Sequence, residues 1–332
     1  MIGLDVGGAN TKAAAVDGDG RVRIVSEPFE VWRSPDHLAD AIGSVVERLG
    51  LGRAPVALTT TAELVDVFES KRVGVRRVLD AVASALPGRS LRVMTTAGAL
   101  IELDRARADP LACAAANWVA TALLVARSVP DAILVDCGGT TTDVIPIAGG
   151  EVAARGRTDV QRLLTGELVY TGALRTNLAA IVSEVPIGGR PCPVSSELFA
   201  IAADAHLLRG DLTEAQCTCT FPDHRGPGPE HVRARLARVV CADPEQLSPG
   251  DLEAIAGAVH DAQVAAIADA VGRVAARAGP GAPVITVGVG AFLARAAAAR
   301  WGLDVADPGA LALAGVAGEV AACVALSVLG RG

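Results

Sequence analysis

An internal repeat narrows the fold of this chain more than any other feature. Asp5, Gly7, Gly8 and Thr11 recur as Asp136, Gly138, Gly139 and Thr142, all at one offset of 131 residues. Each copy reads as an apolar strand ending in aspartate, a glycine-rich turn and a second apolar strand. In the first copy, residues 2–6 lead through 7–12 into 13–16; in the second, 132–136 lead through 137–143 into 144–147. Asp17-Gly18-Asp19-Gly20 and Ala148-Gly149-Gly150 then mark a further hairpin in each copy, towards third strands at 21–25 and 151–154. Such self-similarity predicts two equivalent halves. A length of 332 residues accommodates two domains, placed at 1–129 and 130–332.

Between the repeats, helical spacing dominates. Ser34-Pro35 opens a helix to Leu49, and a strand follows at 55–59. Asp109-Pro110 opens a helix running through Ala126, and Asp251 caps another with Leu252, Ile255, Val259, Ile267, Val271 and Val274 on its apolar face. The stretch 216–229 is a loop within a segment, about 158–250, inserted into the second domain. Residues 308–329 are apolar, with Glu319 their only charge; Gly315 and Gly318 favour a buried helix pair over a membrane span. The N-terminal residues lack a signal-peptide pattern and the seven cysteines are odd in number and scattered, so the expected location is cytoplasmic, with no membrane partner. Cys217-x-Cys219 has no second half to complete a zinc site.

Composition then limits the ligands. A net charge of −7 and 3% aromatic residues argue against nucleic acid, which needs a basic face or stacking platforms. Lysine occurs only at Lys12 and Lys71. A phosphate ligand would therefore be held mainly by other means. Gly7, Gly8, Gly138 and Gly139 let backbone approach a ligand closely, with Asn10, Thr11, Thr140, Thr141 and Thr142 as neighbouring polar groups. Asp5 and Asp136 sit at equivalent strand ends and suit a hydrated Mg²⁺ shared with phosphate oxygens. Lys12 adds a compact positive charge; Asp143 stands at its place in the second copy. A third glycine turn, Gly288-Val289-Gly290, joins an apolar strand at 284–287 to a helix at 291–300 and is another place for an anion or nucleotide. The polar runs holding Arg157, Asp159 and Arg162, and then Tyr170, Arg175 and Asn177, suggest substrate contact, with a solvated helix face as the equal alternative.

The residues Asp5-Val6-Gly7-Gly8-Ala9-Asn10-Thr11-Lys12 and Asp136-Cys137-Gly138-Gly139-Thr140-Thr141-Thr142-Asp143 resemble the two phosphate motifs of the acetate kinase/sugar kinase/Hsp70/actin superfamily. More narrowly, Thr61-Ala62-Glu63-Leu64, Ala115-Ala116-Asn117-Trp118, and the runs 140–147, 166–177 and 235–243 resemble hydantoinase/oxoprolinase-related proteins linked to tetrahydromethanopterin C1 transfer. The resemblance implies an α/β fold: two ribonuclease-H-like domains (the actin-like ATPase/ASKHA fold) flanking a central cleft. It also implies an enzyme of methanofuran biosynthesis. Such an enzyme joins an aminomethylfuran-methyl diphosphate to the phenol of a tyramine or tyrosine derivative, forming an aryl ether and releasing diphosphate. Mg²⁺ would serve as cofactor on Asp5 and Asp136, and Asn117 joins the substrate-binding candidates. Glu63, Asp143 and Glu167 are the candidate general bases. The superfamily's adenosine motif, resembled at Gly288 and Gly290, keeps ATP-dependent kinase or hydantoinase/oxoprolinase-like chemistry as the alternative. Homodimerisation is compatible with the sequence but not specified by it.

Overall fold

The computed structural model describes residues 1–306 and 320–331. Three strands, β1 (Ile2–Val6), β2 (Asn10–Val16) and β3 (Val22–Pro28), form an antiparallel meander. Helix α1 (Leu38–Arg48) carries the chain back so that β4 (Val56–Thr60) pairs parallel with β1. After α2 (Lys71–Ala85), strands β5 (Leu91–Met94) and β6 (Leu100–Glu102) complete a six-stranded sheet of order β3-β2-β1-β4-β5-β6. Every residue of β1 and β4 is buried, as expected for central strands covered on both faces. Helices α3 (Leu103–Ala108) and α4 (Asn117–Ser128) lead to the second copy.

There β7 (Ala132–Cys137), β8 (Thr142–Ala148) and β9 (Glu151–Val152) repeat the meander. Helix α5 (Asp159–Thr165) and β10 (Leu168–Val169) follow. Then come α6 (Leu178–Ile181), the hairpin β11 (Glu184–Ile187) and β12 (Arg190–Pro193), α7 (Ala202–Arg209), α8 (Pro229–Arg238) and α9 (Pro249–Ala275). Strand β13 (Val284–Val287) pairs parallel with β7, as β4 does with β1. The described chain ends with α10 (Ala291–Arg300), β14 (Val305–Ala306) and α11 (Ala321–Leu329). The second sheet has the order β10-β8-β7-β13-β14, with β9 also on β8. The repeat is thus topological as well as sequential.

Each sheet has its own outer core. Leu4, Ile42, Val45, Leu58 and Leu79 pack in the first; Val135, Ile267, Val271 and Leu293 pack in the second. A third core lies between the halves, where Trp118 and Val125 of α4 meet Ile145 of β8 and Leu326 of α11. These apolar contacts, non-directional and proportional to the area buried, hold the two halves together.

The structure departs from the sequence expectations in several places. The predicted helix 34–49 begins as a 3₁₀ turn, Pro35–His37, before α1. The predicted helix 109–126 breaks after the 3₁₀ turn Pro110–Cys113, because Ala115 adopts a left-handed φ of 51°, and restarts as α4. Ser248, rather than Asp251, caps α9: Ser248 Oγ accepts the Asp251 N–H, and the Asp251 carboxylate accepts the Ser248 N–H. Within the proposed insertion 158–250, β10 belongs to the main sheet; much of the remainder builds a small core in which Leu178, Val185 and Leu236 pack against Ile255 of α9.

The boundary at 129/130 also needs amending. Helix α11 lies on the first sheet, so closely that a Cβ on Gly3 would stand 1.8 Å from Cys323 O. Ser327 Oγ accepts the Val16 N–H and donates to Met1 O, each at 3.0 Å. Of the predicted helix pair at 308–329, residues 308–319 lie outside the described residues; α11 forms the remainder and is buried. Among the described residues, α9 is the one helix long and apolar enough to cross a membrane, and its apolar residues pack into the two cores of the second half.

Candidate active site

The repeated glycine turns become two matching hairpins. Gly7 N–H donates to Asn10 O, and Gly138 N–H to Thr141 O, both at 2.9 Å. A Cβ on Gly7 would approach Asn10 O to 2.9 Å, so the first turn needs glycine there. Each hairpin is gripped from outside. Phe29 and Val31 N–H groups donate to Ala9 O and Gly8 O; Ala173 donates to Gly138 O, and Leu174 and Arg175 to Gly139 O. Gly172 makes the second grip possible, since a Cβ there would lie 2.5 Å from Thr140 N. The grips also position side chains: Arg175 stacks its guanidinium on Trp32 at 4.8 Å.

Between the hairpins lies a cleft of ≈ 350 Å³, within the ordinary size range of small-molecule sites. Asp5 and Lys12 face each other across the β1–β2 register, as Asp136 and Asp143 do across β7–β8. All four line the cleft, together with Glu63. The hairpin residues Gly7, Gly8, Asn10, Gly138, Gly139, Thr140 and Thr141 line it too. So do the substrate candidates Asn117, Asp159, Arg162, Tyr170 and Arg175. Trp32 is a lining residue that sequence reasoning missed; Thr61 and Cys219, singled out only within a family motif and a cysteine pair, line the cleft as well.

Burial dominates the electrostatics. It raises the Asp5 carboxyl above its usual range, opposed by Lys12. Asp136 is pushed to about 7 by burial and then by the neighbouring Asp143. Asp5 Oδ1 is buried without a hydrogen-bond partner. Two desolvated carboxylates and an orphaned oxygen at a ligand-sized cleft fit a hard cation such as Mg²⁺. Burial also raises Glu63 to about 7. Burial raises Asp143 too, opposed by Arg162, which is ion-paired to it; Arg162 is itself buried and stacks on Trp118 at 4.4 Å. Asp159 pairs with Lys71, joining α5 to α2 beside the cleft. Arg162 and Asp159 are therefore already engaged with protein partners.

A protein-family model described as hydantoinase/oxoprolinase matches residues 55–327. The chain belongs to the hydantoinase/oxoprolinase family. A family relative from Methanocaldococcus jannaschii is named (4-{4-[2-(gamma-L-glutamylamino)ethyl]phenoxymethyl}furan-2-yl)methanamine synthase. It is 36% identical over 278 residues, covering 83% of this chain and 82% of the relative. A protein of the same name from Methanococcus vannielii is 40% identical over 116 residues, 35% of this chain and 52% of its own length. Among solved structures, the ethanolamine utilization protein EutJ from Carboxydothermus hydrogenoformans aligns with a TM-score of 0.50 at 17% identity, covering 98% of this chain and 88% of that one. A PilM-PilN type IV pilus biogenesis complex aligns with a TM-score of 0.51 at 12% identity, covering 100% and 98%. At these identities the likeness concerns the fold, and the fold of this hydantoinase/oxoprolinase-family chain is the actin-like ATPase/ASKHA fold with its two ribonuclease-H-like halves.

Several candidate residues lie elsewhere. Thr11 and Thr142 occupy equivalent places with buried hydroxyls, and Thr142 Oγ1 donates to Thr171 O at 2.7 Å; strand alternation turns both away from the cleft. Gly288 and Gly290 pack against β7: Gly290 N–H donates to Cys137 O, and a Cβ on Gly288 would stand 2.1 Å from that same oxygen. Arg157 donates to Thr96 O, and Asn177 Oδ1 caps α6. Burial pushes the Cys217 thiol to about 12 and Cys219 to about 11, which disfavours the thiolates that zinc would require.

Glu167 is fully buried and accepts from Arg155 N–H and Gly156 N–H at 2.7 Å, from Thr165 Oγ1 at 2.8 Å and from Arg277. Burial alone would raise its carboxyl, but these donors outweigh it and hold it below the usual range. Saturated in this way, Glu167 braces the structure and does not line the cleft. Glu167→Ala is expected to cost about 3–5 kcal/mol, the usual penalty for removing one partner of a buried pair. Denaturant unfolding checks this: an unchanged midpoint with a large loss of activity would return Glu167 to the chemistry.

Proposed function

We propose that this protein is a transferase that condenses an aminomethylfuran-methyl diphosphate with the phenol of a tyramine or tyrosine derivative. The observation carrying this reading is the pairing of Asp5 with Asp136 at two glycine hairpins, in a chain 36% identical over most of its length to a synthase whose name describes a phenoxymethylfuran ether. In the reaction the phenol oxygen forms a bond to the furfuryl methylene, the bond from that carbon to diphosphate breaks, and the phenolic proton leaves. Asp5 and Asp136 would hold Mg²⁺, which when bound supplies charge stabilisation for the departing diphosphate.

The chain's own groups supply the rest. The hairpin tips offer backbone N–H groups to phosphate oxygens, and Lys12 adds positive charge. Trp32, Leu64, Leu174 and Tyr170 form a wall suited to the furan and phenol rings. Glu63 is the favoured base: it lines the cleft, carries no cationic partner at hydrogen-bond distance among those described, and is raised to about 7, where proton transfer near neutral pH is efficient.

The test supplies purified protein with the furfuryl diphosphate, tyramine and Mg²⁺, and separately with ATP. Diphosphate release together with the ether mass supports the reading. ATP turnover without ether formation overturns it.

A further inference from the structure

Away from the cleft, three side chains with ligand atoms converge in the second half: His206 of α7, Asp211 just beyond its end, and His260 of α9. Their ligand atoms lie within 4.8 Å of one another. The local fold explains the meeting. Gly210 ends α7 in the left-handed conformation (φ 78°), and Asp211 N–H turns back to donate to His206 O at 2.9 Å. The Asp211 carboxylate is thereby returned over the His206 ring. Phe292 of α10 contacts both imidazoles, edge-on to His206 at 4.8 Å and stacked with His260 at 6.3 Å, so the rings are held by packing.

The hydrogen-bond chemistry decides what can sit there. Gln263 Nε2 donates to Gly172 O at 2.9 Å and to Thr171 Oγ1 at 2.7 Å, so its amide oxygen faces His206 Nε2 at 2.8 Å. Because Gln263 Oε1 only accepts, His206 Nε2 donates to it, and Nδ1 is the ring nitrogen left to face Asp211 and His260. That Nδ1 is buried with no hydrogen-bond partner, as is Nδ1 of His260. Three electron-pair donors thus face one another.

The distances agree with an ion better than with hydrogen bonds. Asp211 Oδ2 is 3.4 Å from His206 Nδ1 and 3.7 Å from His260 Nδ1. A tetrahedral ion with bonds of about 2.0–2.1 Å spaces its ligands roughly 3.3–3.4 Å apart. Outer contacts match as well: Gln263 orients His206, and Arg209 Nε holds Asp211 Oδ2 at 2.7 Å, as second partners do around ligating histidines and carboxylates. Two imidazoles and one carboxylate suit a first-row divalent transition ion rather than Mg²⁺.

We propose that His206, Asp211 and His260 form a binding site for a divalent transition metal of the zinc class, one that pins α7 to α9. Through Gln263 it also braces the Thr171–Gly172 segment, which grips the second glycine hairpin. The site is separate from the Asp5–Asp136 cation site.

The experiment strips the full-length protein with chelator, adds Zn²⁺ and measures bound zinc by elemental analysis, affinity by chelator competition, and Tm. Wild type is expected to retain one zinc per chain and to gain Tm. His260→Ala and Asp211→Asn, both at partly exposed positions, are expected to weaken zinc at least 10-fold and to lose the Tm gain, while metal-free folding is preserved by circular dichroism. Asp5→Asn and Cys217→Ser are expected to keep the zinc. Failure of wild type to bind stoichiometric zinc, or unchanged zinc affinity in both site variants, overturns the proposal. None of these readouts depends on ether formation.

Discussion

Asp5→Asn is expected to reduce turnover by roughly 10²–10³-fold or more, the scale set by removing one preorganised electrostatic contact to developing charge. Its fold should survive. Asp5 sits on a fully buried strand, and Oδ1 of its carboxylate is buried with no hydrogen-bond partner. The isosteric amide removes a charge whose burial raises the carboxyl above its normal range. The denaturation midpoint is therefore expected to stay level or rise while activity falls, a separation that general destabilisation cannot produce. Asp136→Asn should behave alike, since it stands at the equivalent place on β7. Turnover within a few-fold of wild type in Asp5→Asn would exclude a required ligand role for that carboxylate.

The second large effect is expected at Glu63. Glu63→Gln should lower kcat by about 10²–10⁴-fold, the usual contribution of a positioned general base. The pH profile carries the sharper prediction. A base works in its ionised form, so wild-type activity should rise with pH and level off above about 7, where burial places this carboxyl. The amide cannot titrate, so that rising limb should vanish in the variant. Asp136 is also pushed to about 7. A saturating cation would hold Asp136 ionised and move its limb to lower pH, leaving the Glu63 limb in place. A rising limb that persists in Glu63→Gln under saturating Mg²⁺ would assign the proton transfer elsewhere.

The repeat was the most legible part of the chain, because its period fixes both strand pairing and the place of each aspartate. Asp5 and Asp136 therefore fall where the repeat puts them. The phosphate-binding expectation failed to distinguish Thr11 and Thr142 from their neighbours, although a strand's two-residue period turns alternate side chains to opposite faces. Glu167 illustrates a different limit. Its role depends on donors from Arg155, Gly156, Thr165 and Arg277, and no local pattern reveals that a segment more than a hundred residues away completes the set. Trp32 reaches the cleft only because Phe29 and Val31 grip the first hairpin through backbone bonds. The metal cluster was invisible for the same reason. His206 and His260 lie far apart in sequence, and their meeting depends on the turn at Gly210 and on helix packing.

The position of α11 bears on how the chain acquires its structure during synthesis. Strand β1 is synthesised well before residues 321–329, yet those residues cover one face of it. Until those residues arrive, the apolar surface around Ala14, Ala57 and Trp118 lacks part of its cover. The N-terminal half thus matures late, although domains commonly fold in the order in which they are made. A nascent chain stalled before residue 321 would hold β1 and β2 half-clad and prone to chaperone capture. Emergence of α11 then acts as the closing step that commits both halves to one another.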